Sequence, residues 1–182
     1  MKPIHSSPSL SYTIIIDNRK KDFILKLSCS LMKLGRKEYP MSKNLIAKAS
    51  LTIQAPADKV WNALVDPEAI RQYMFGTNAV SDWREGSPII WKGVWQGKPY
   101  EDKGVILQLR PGRLLQYSHF SPLSGLPETA ENYHTVTIEL AEEGDRVRVS
   151  LSQDHNATEE EVEQSRQNWE MMLTSLKKYL EE

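Results

Sequence analysis

The chain has 182 residues, 40% of them hydrophobic, and a formal net charge of −1. That length holds one well-buried core and is short for two, and no apolar run approaches the ~20 residues needed to span a bilayer, which argues against stable membrane insertion. The single cysteine, Cys29, excludes an internal disulfide and a CxxC zinc site, and points to a reducing, cytoplasmic setting.

The small net charge hides an asymmetry. Residues 1–40 carry eight Lys/Arg against three acids, whereas residues 41–182 carry fifteen against twenty-one. An acidic main domain without Lys/Arg runs between aromatics argues against nucleic-acid binding, which rests on neutralising phosphates. Residues 1–43 are set apart as an N-terminal extension. Phe23, Ile24, Leu27, Leu31 and Leu34 could line one face of a basic helix. Three readings stay open: a targeting segment, a basic amphipathic anchor, or translation beginning at Met41. The third rests on Gly35-Arg36-Lys37-Glu38, which a purine-rich run just upstream of the Met41 codon can encode.

From Asn44 to Glu182 the pattern predicts one domain. Leu45–Gln54 alternates as a half-buried strand. Pro56–Val65 follows as a helix, with the proline in the first turn and Val60, Trp61 and Leu64 on one face. Asp66-Pro67-Glu68 reads as a second helix start, capped by Asp66, with Ile70, Tyr73 and Met74 on its apolar side. Strands are then predicted at Ser87–Gln96, Lys98–Arg110, Arg113–Phe120, Tyr133–Leu140 and Arg146–Gln153. Turns fall at Gln96-Gly97-Lys98, Pro111-Gly112 and Glu142–Asp145. Thr158-x-x-Glu161 is a capping box opening a long helix, with Val162, Ser165, Trp169, Met172, Leu173, Leu176 and Leu180 at helical spacing. This order implies an α+β helix-grip fold: a curved antiparallel sheet around the C-terminal helix, with two short helices after the first strand. Such packing leaves a cavity at one end of the groove, a default ligand site.

The residues also resemble a known family. Ile53-x-Ala55-Pro56-x-x-x-Val60-Trp61-x-Ala63-Leu64, Asp66-Pro67-Glu68, Gly104-Val105-Ile106 and Trp169-x-x-x-Leu173-x-x-Leu176-x-x-Tyr179-Leu180-Glu181 together resemble the START-like (SRPBCC, birch-pollen-allergen-like) superfamily. Within it they are similar to the family named for the activator of heat-shock protein 90 ATPase. The resemblance covers residues 44–182. It implies a single helix-grip domain that holds a small hydrophobic ligand, with no fixed catalytic residues. The family name adds an expected chaperone partner and a stress-response role. Residues 1–40 are too short for the further N-terminal domain by which the eukaryotic co-chaperone contacts its chaperone.

The ligand-lining candidates are Trp91, Trp95, Tyr117, His119, Trp169 and Met172. Trp91 and Trp95 share a strand face, which lines the cavity if concave and forms an exposed patch if convex. Trp61 and Trp169 are expected in the core. His119 is the one candidate general base, set against a plain structural histidine. The histidines lack HxH or HExxH spacing, so no metal site is expected. Asp154 and His155 are adjacent on a strand and should point to opposite faces, which argues against a direct pair. No Gly-x-Ser-x-Gly elbow, P-loop or GxGxxG fingerprint occurs, so no cofactor is expected. The loop Ser121–Glu128 is either a gate at the cavity mouth or a surface connection. The first function expected is a binding module for a hydrophobic or amphipathic small molecule. The alternatives are a START-like enzyme of cyclase or hydrolase type using His119, and a chaperone-linked interaction module.

Overall fold

The computed structural model describes residues 44–182 except Gln96 and the side chain of Trp95. The readings placed on residues 1–43 lie outside the described residues. The elements run β1 (Leu45–Ile53), α1 (Ala57–Val65), α2 (Pro67–Tyr73), β2 (Asn78–Ser81), β3 (Pro88–Trp95), β4 (Lys98–Arg110), β5 (Leu114–His119), β6 (His134–Glu143), β7 (Arg146–Asn156) and α3 (Glu159–Glu181), with 3-10 turns at Pro122–Ser124 and Ala130–Asn132. The strands form one seven-stranded sheet in the order β1-β7-β6-β5-β4-β3-β2, every neighbouring pair antiparallel. The chain thus leaves one edge of the sheet at β1, crosses by α1 and α2 to the other edge, and meanders back until β7 pairs with β1. With α3 packed on the sheet, this is the expected α+β architecture.

Local chemistry explains the joins. Pro56 holds extended backbone (φ −62°, ψ 151°) and caps α1 instead of entering it. Val60, Trp61, Ala63 and Leu64 are buried. The Asp66 side chain accepts from the backbone N–H groups of Glu68 and Ala69, satisfying two donors that the first turn of α2 leaves free. Thr158 caps α3 by accepting from Glu161 N at 3.1 Å. The return bond of the capping box is displaced: Glu161 accepts from Ala157 N at 2.7 Å, one residue before the cap. Lys59 Nζ donates to the Leu180 carbonyl at 2.8 Å. Gln54 N donates to Glu181 at 2.6 Å, so the start of the sheet and the end of the last helix are tied together.

Three further details depart from the sequence expectations. Strand β2 was not foreseen; it has four residues and buries only Ala79, too few positions to show a period. Strand β6 extends to Glu143 because Glu143↔Arg146 keeps the hairpin in register to the Gly144 turn, and β7 extends to Asn156 because its far end pairs with Leu45 of β1. The third is Asp154-His155. His155 adopts φ +56°, and the β1–β7 register shifts between Leu45 and Ala47. This bulge breaks the strict alternation, and His155 Nδ1 lies 2.7 Å from Asp154 Oδ1. The two side chains are paired, contrary to the expectation from a regular strand.

Gly104 serves close approach and not a turn. A Cβ there would lie 1.6 Å from the Ser118 carbonyl oxygen. Strand β4 pairs with β3 over Lys98–Val105, and on its other edge it meets the β5 chain on both sides of Gly104, at Lys103↔Phe120 and Ile106↔Tyr117. The bare backbone at Gly104 permits this close approach, which brings Asp102 beside His119.

Candidate functional site: an aromatic cavity with a buried Asp–His pair

Between the sheet and the N-terminal half of α3 lies a cavity of about 350 Å³. Its sheet wall carries Trp91 from β3, Tyr100 and Asp102 from β4, and Tyr117 and His119 from β5. Ser165, Trp169 and Met172 supply the helix wall. The alternation of each strand sets this wall. Trp91 is two residues from buried Ile89, and Tyr117 and His119 continue the inward face that begins at Leu115. Phe75, Val94, Leu123 and Met171 ring the mouth and are exposed.

The aromatic groups touch one another. The rings of Trp91 and Tyr117 are 4.8 Å apart, and those of Trp91 and His119 meet edge-on at 5.5 Å. Burial pushes the Tyr117 phenol far above its ordinary value, so it remains an O–H donor. Burial also raises Tyr100, with Asp102 adding to the effect. The Tyr100 hydroxyl bonds Thr77 Oγ1 at 2.6 Å. Its ring covers Gly93, where a Cβ would come within 2.8 Å of the phenol oxygen.

Two polar groupings shape the walls. His119 Nε2 lies 3.1 Å from Asp102 Oδ2, where the ring N–H donates to the carboxylate. Asp102 Oδ1 and His119 Nδ1 are buried without a partner. The second grouping holds the helix. Trp169 Nε1 donates to Gln153 Oε1 at 2.9 Å, and Gln153 Nε2 donates to Asn156 Oδ1 and Ser165 Oγ, each at 3.1 Å. Asn156 in turn donates to the Leu45 carbonyl at 2.9 Å. A chain of hydrogen bonds thus fixes the Trp169 indole from the bulge between β1 and β7.

Of the six candidate lining residues, Trp91, Tyr117, His119, Trp169 and Met172 stand on the wall of this one cavity. Trp91 faces the concave side and is buried; the side chain of Trp95 lies outside the described residues. Trp61 is buried in the core, and Trp169 is partly buried between core and cavity. Ser121 and Leu123 bring the 121–128 loop to the cavity mouth, and Glu128 ties it down by accepting from Lys103 Nζ and from the Tyr133 hydroxyl. Asp102, Gln153 and Thr77 were missed. The signal for Asp102 was parity, since it alternates with Tyr100, Gly104 and the buried Ile106 on one face of β4. Gln153 likewise continues the Val147-Val149-Leu151 face. Among the described residues, no group of three His, Cys, Asp or Glu side chains is placed to hold a metal ion. No helix among them is long and apolar enough to cross a membrane.

Comparison with known proteins adds three structural likenesses and one sequence family. The family model described as Activator of Hsp90 ATPase homolog 1-like protein matches residues 54–181. The solution structure of ChR145 from Cytophaga hutchinsonii is 58% identical, over 75% of this chain and 94% of that one, with a TM-score of 0.67. CalU16 from Micromonospora echinospora is 24% identical over 76% of this chain and 85% of its own, with a TM-score of 0.59. The Aha1 dimer from Colwellia psychrerythraea is 16% identical over 75% and 96%, also at 0.59. At the last two identities the likeness is one of fold. A comparison with curated proteins finds no match.

Proposed function

Given that the chain belongs to the family of Activator of Hsp90 ATPase homolog 1-like proteins, we propose that it is a binding module for a hydrophobic or amphipathic small molecule held between the sheet and α3. The observation that carries this reading is the aromatic-walled cavity of about 350 Å³. The cavity opens to solvent at a mouth, so a small molecule can enter it without unfolding the wall. Large aromatic walls with a few convergent polar groups are what small-molecule sites are made of.

The experiment is ligand titration followed by tryptophan fluorescence. Trp91 and Trp169 border the cavity, so an occupant quenches emission, and Trp169→Ala abolishes uptake. A broad panel of lipids and planar aromatics without one saturable binder would overturn the reading.

A second reading is favoured by one contact, the bond from His119 to Asp102. A carboxylate that orients an imidazole is a common support for a general base. In that reading His119 draws a proton from an occupant during a cyclase- or hydrolase-type step. Its test is product analysis after incubation with a bound compound. Turnover that persists in His119→Gln rules this role out. A chaperone partner is supported by the family name alone; an unchanged chaperone ATPase rate on adding the protein would exclude it.

A further inference from the structure

Resting on the ligand-binding reading, we infer that the site selects an amphiphile by the charge of its head: a protonated amine enters head-first against Asp102, and an anionic head is rejected.

Three observations carry this. First, Asp102 and His119 are the cavity's only acid and only histidine, and no lysine or arginine lines it among the described residues. The cations nearest in sequence are engaged elsewhere, Lys103 with Glu128 and Lys92 with Glu101. The field inside is therefore set by a carboxylate whose single partner is an imidazole. In a partly desolvated space that field acts with little screening, attracting a cation and opposing an anion.

Second, the carboxylate is under-bonded: Asp102 Oδ2 has the His119 ring nitrogen at 3.1 Å, and Oδ1 is buried without a partner. An ammonium group supplies only donors, whereas a carboxylate or phosphate supplies only acceptors. The four large rings of Trp91, Tyr100, Tyr117 and Trp169 also line the cavity, and aromatic faces favour a cation over an anion.

Third, the polarity runs from inside to outside in the reverse of a plain surface cleft. The charged pair is half-hidden on the wall, its side chains 15% and 20% exposed. The mouth is ringed by the exposed apolar side chains of Phe75, Val94, Leu123 and Met171. Phe75 is held there with a left-handed backbone (φ +53°) directly after α2. A ligand that matches this gradient puts its polar head inward and its apolar tail at the mouth.

The test is a series with one tail and three heads: decylamine, decanol and decanoate, titrated at neutral pH by calorimetry and tryptophan fluorescence. Decylamine is expected to bind tightest and decanoate weakest, by at least about tenfold. Asp102→Asn keeps the shape and removes the charge. It should reduce the amine-over-carboxylate preference by about tenfold. Decanoate or decanol binding as tightly as decylamine to the unaltered protein overturns the charge selection while leaving the ligand-binding reading intact. So does an Asn variant, shown folded by its melting curve, that keeps the preference. Failure of all three heads to bind overturns the charge selection of an amphiphile, and the ligand-binding reading falls with it only if the broader panel of lipids and planar aromatics also gives no binder. The head-group series on the unaltered protein decides the matter even if the variant does not fold.

Discussion

The two halves of α3 lie over the same sheet and do opposite things. The C-terminal half buries Leu173, Leu176 and Leu180 almost completely against Ile53, Val60 and the other aliphatic residues of the core. Its end is pinned by Lys177 Nζ, which donates to the Thr52 carbonyl at 2.7 Å. The N-terminal half keeps Val162, Ser165 and Trp169 only partly buried. There the helix is held off the sheet by Trp169 hydrogen-bonded to Gln153, and the space between is the cavity. The difference lies in side-chain chemistry. Compact aliphatic groups let the two surfaces close on one another, whereas rings and a polar network hold them apart at fixed distance.

The comparison can be broken at either end. The largest effect is expected at the closed end: Leu176→Ala should cost about 3 kcal/mol in denaturant unfolding, while ligand uptake by the folded protein is unchanged. A loss below about 1 kcal/mol would show that this half is not the anchor. At the open end, Trp169→Phe removes the indole N–H and leaves Gln153 Oε1 buried without that donor. About 1–2 kcal/mol of stability should go, together with much of the affinity for an occupant. Equal affinity would mean that the network does not set the cavity's shape.

The smallest effect concerns pH. Burial, the largest cause, holds the His134 imidazole below its ordinary value of 6.5, with its bond to the Asp154 carbonyl acting in the opposite direction. The unfolded chain therefore binds the proton more readily than the folded one. Stability is complete above the unfolded value and is lost as pH falls from about 6.5 through the lower folded value. His134→Gln should lessen the fall in melting temperature between neutral and mildly acidic pH. An unchanged slope would assign the acid sensitivity to other groups.

How much of this was legible in the sequence depends on how local each feature is. The Asp66 cap and the Thr158 cap need only residues within one turn, and both were readable. The concave face with Trp91, Tyr117 and His119 was readable up to one ambiguity, because period two gives a face but not which side of the sheet it lies on. Asp102 sat in plain alternation with Ile106, but its partner is seventeen residues away and meets it only because β4 and β5 close over Gly104. The Asp154–His155 pair was misread because a bulge arises from the pairing of β1 with β7, which no local window contains.

The sequence by itself determined the order of elements, the faces of most strands and the family, because these follow from local periodicity, caps and motif spacing. Only the tertiary structure decided that the aromatic face is the inner one, that Gln153 suspends Trp169, and that an acid stands beside His119 on the cavity wall. Those facts depend on which strands become neighbours and how closely their backbones pass. That is settled by the packing of the whole sheet against one helix, not by any stretch of chain alone.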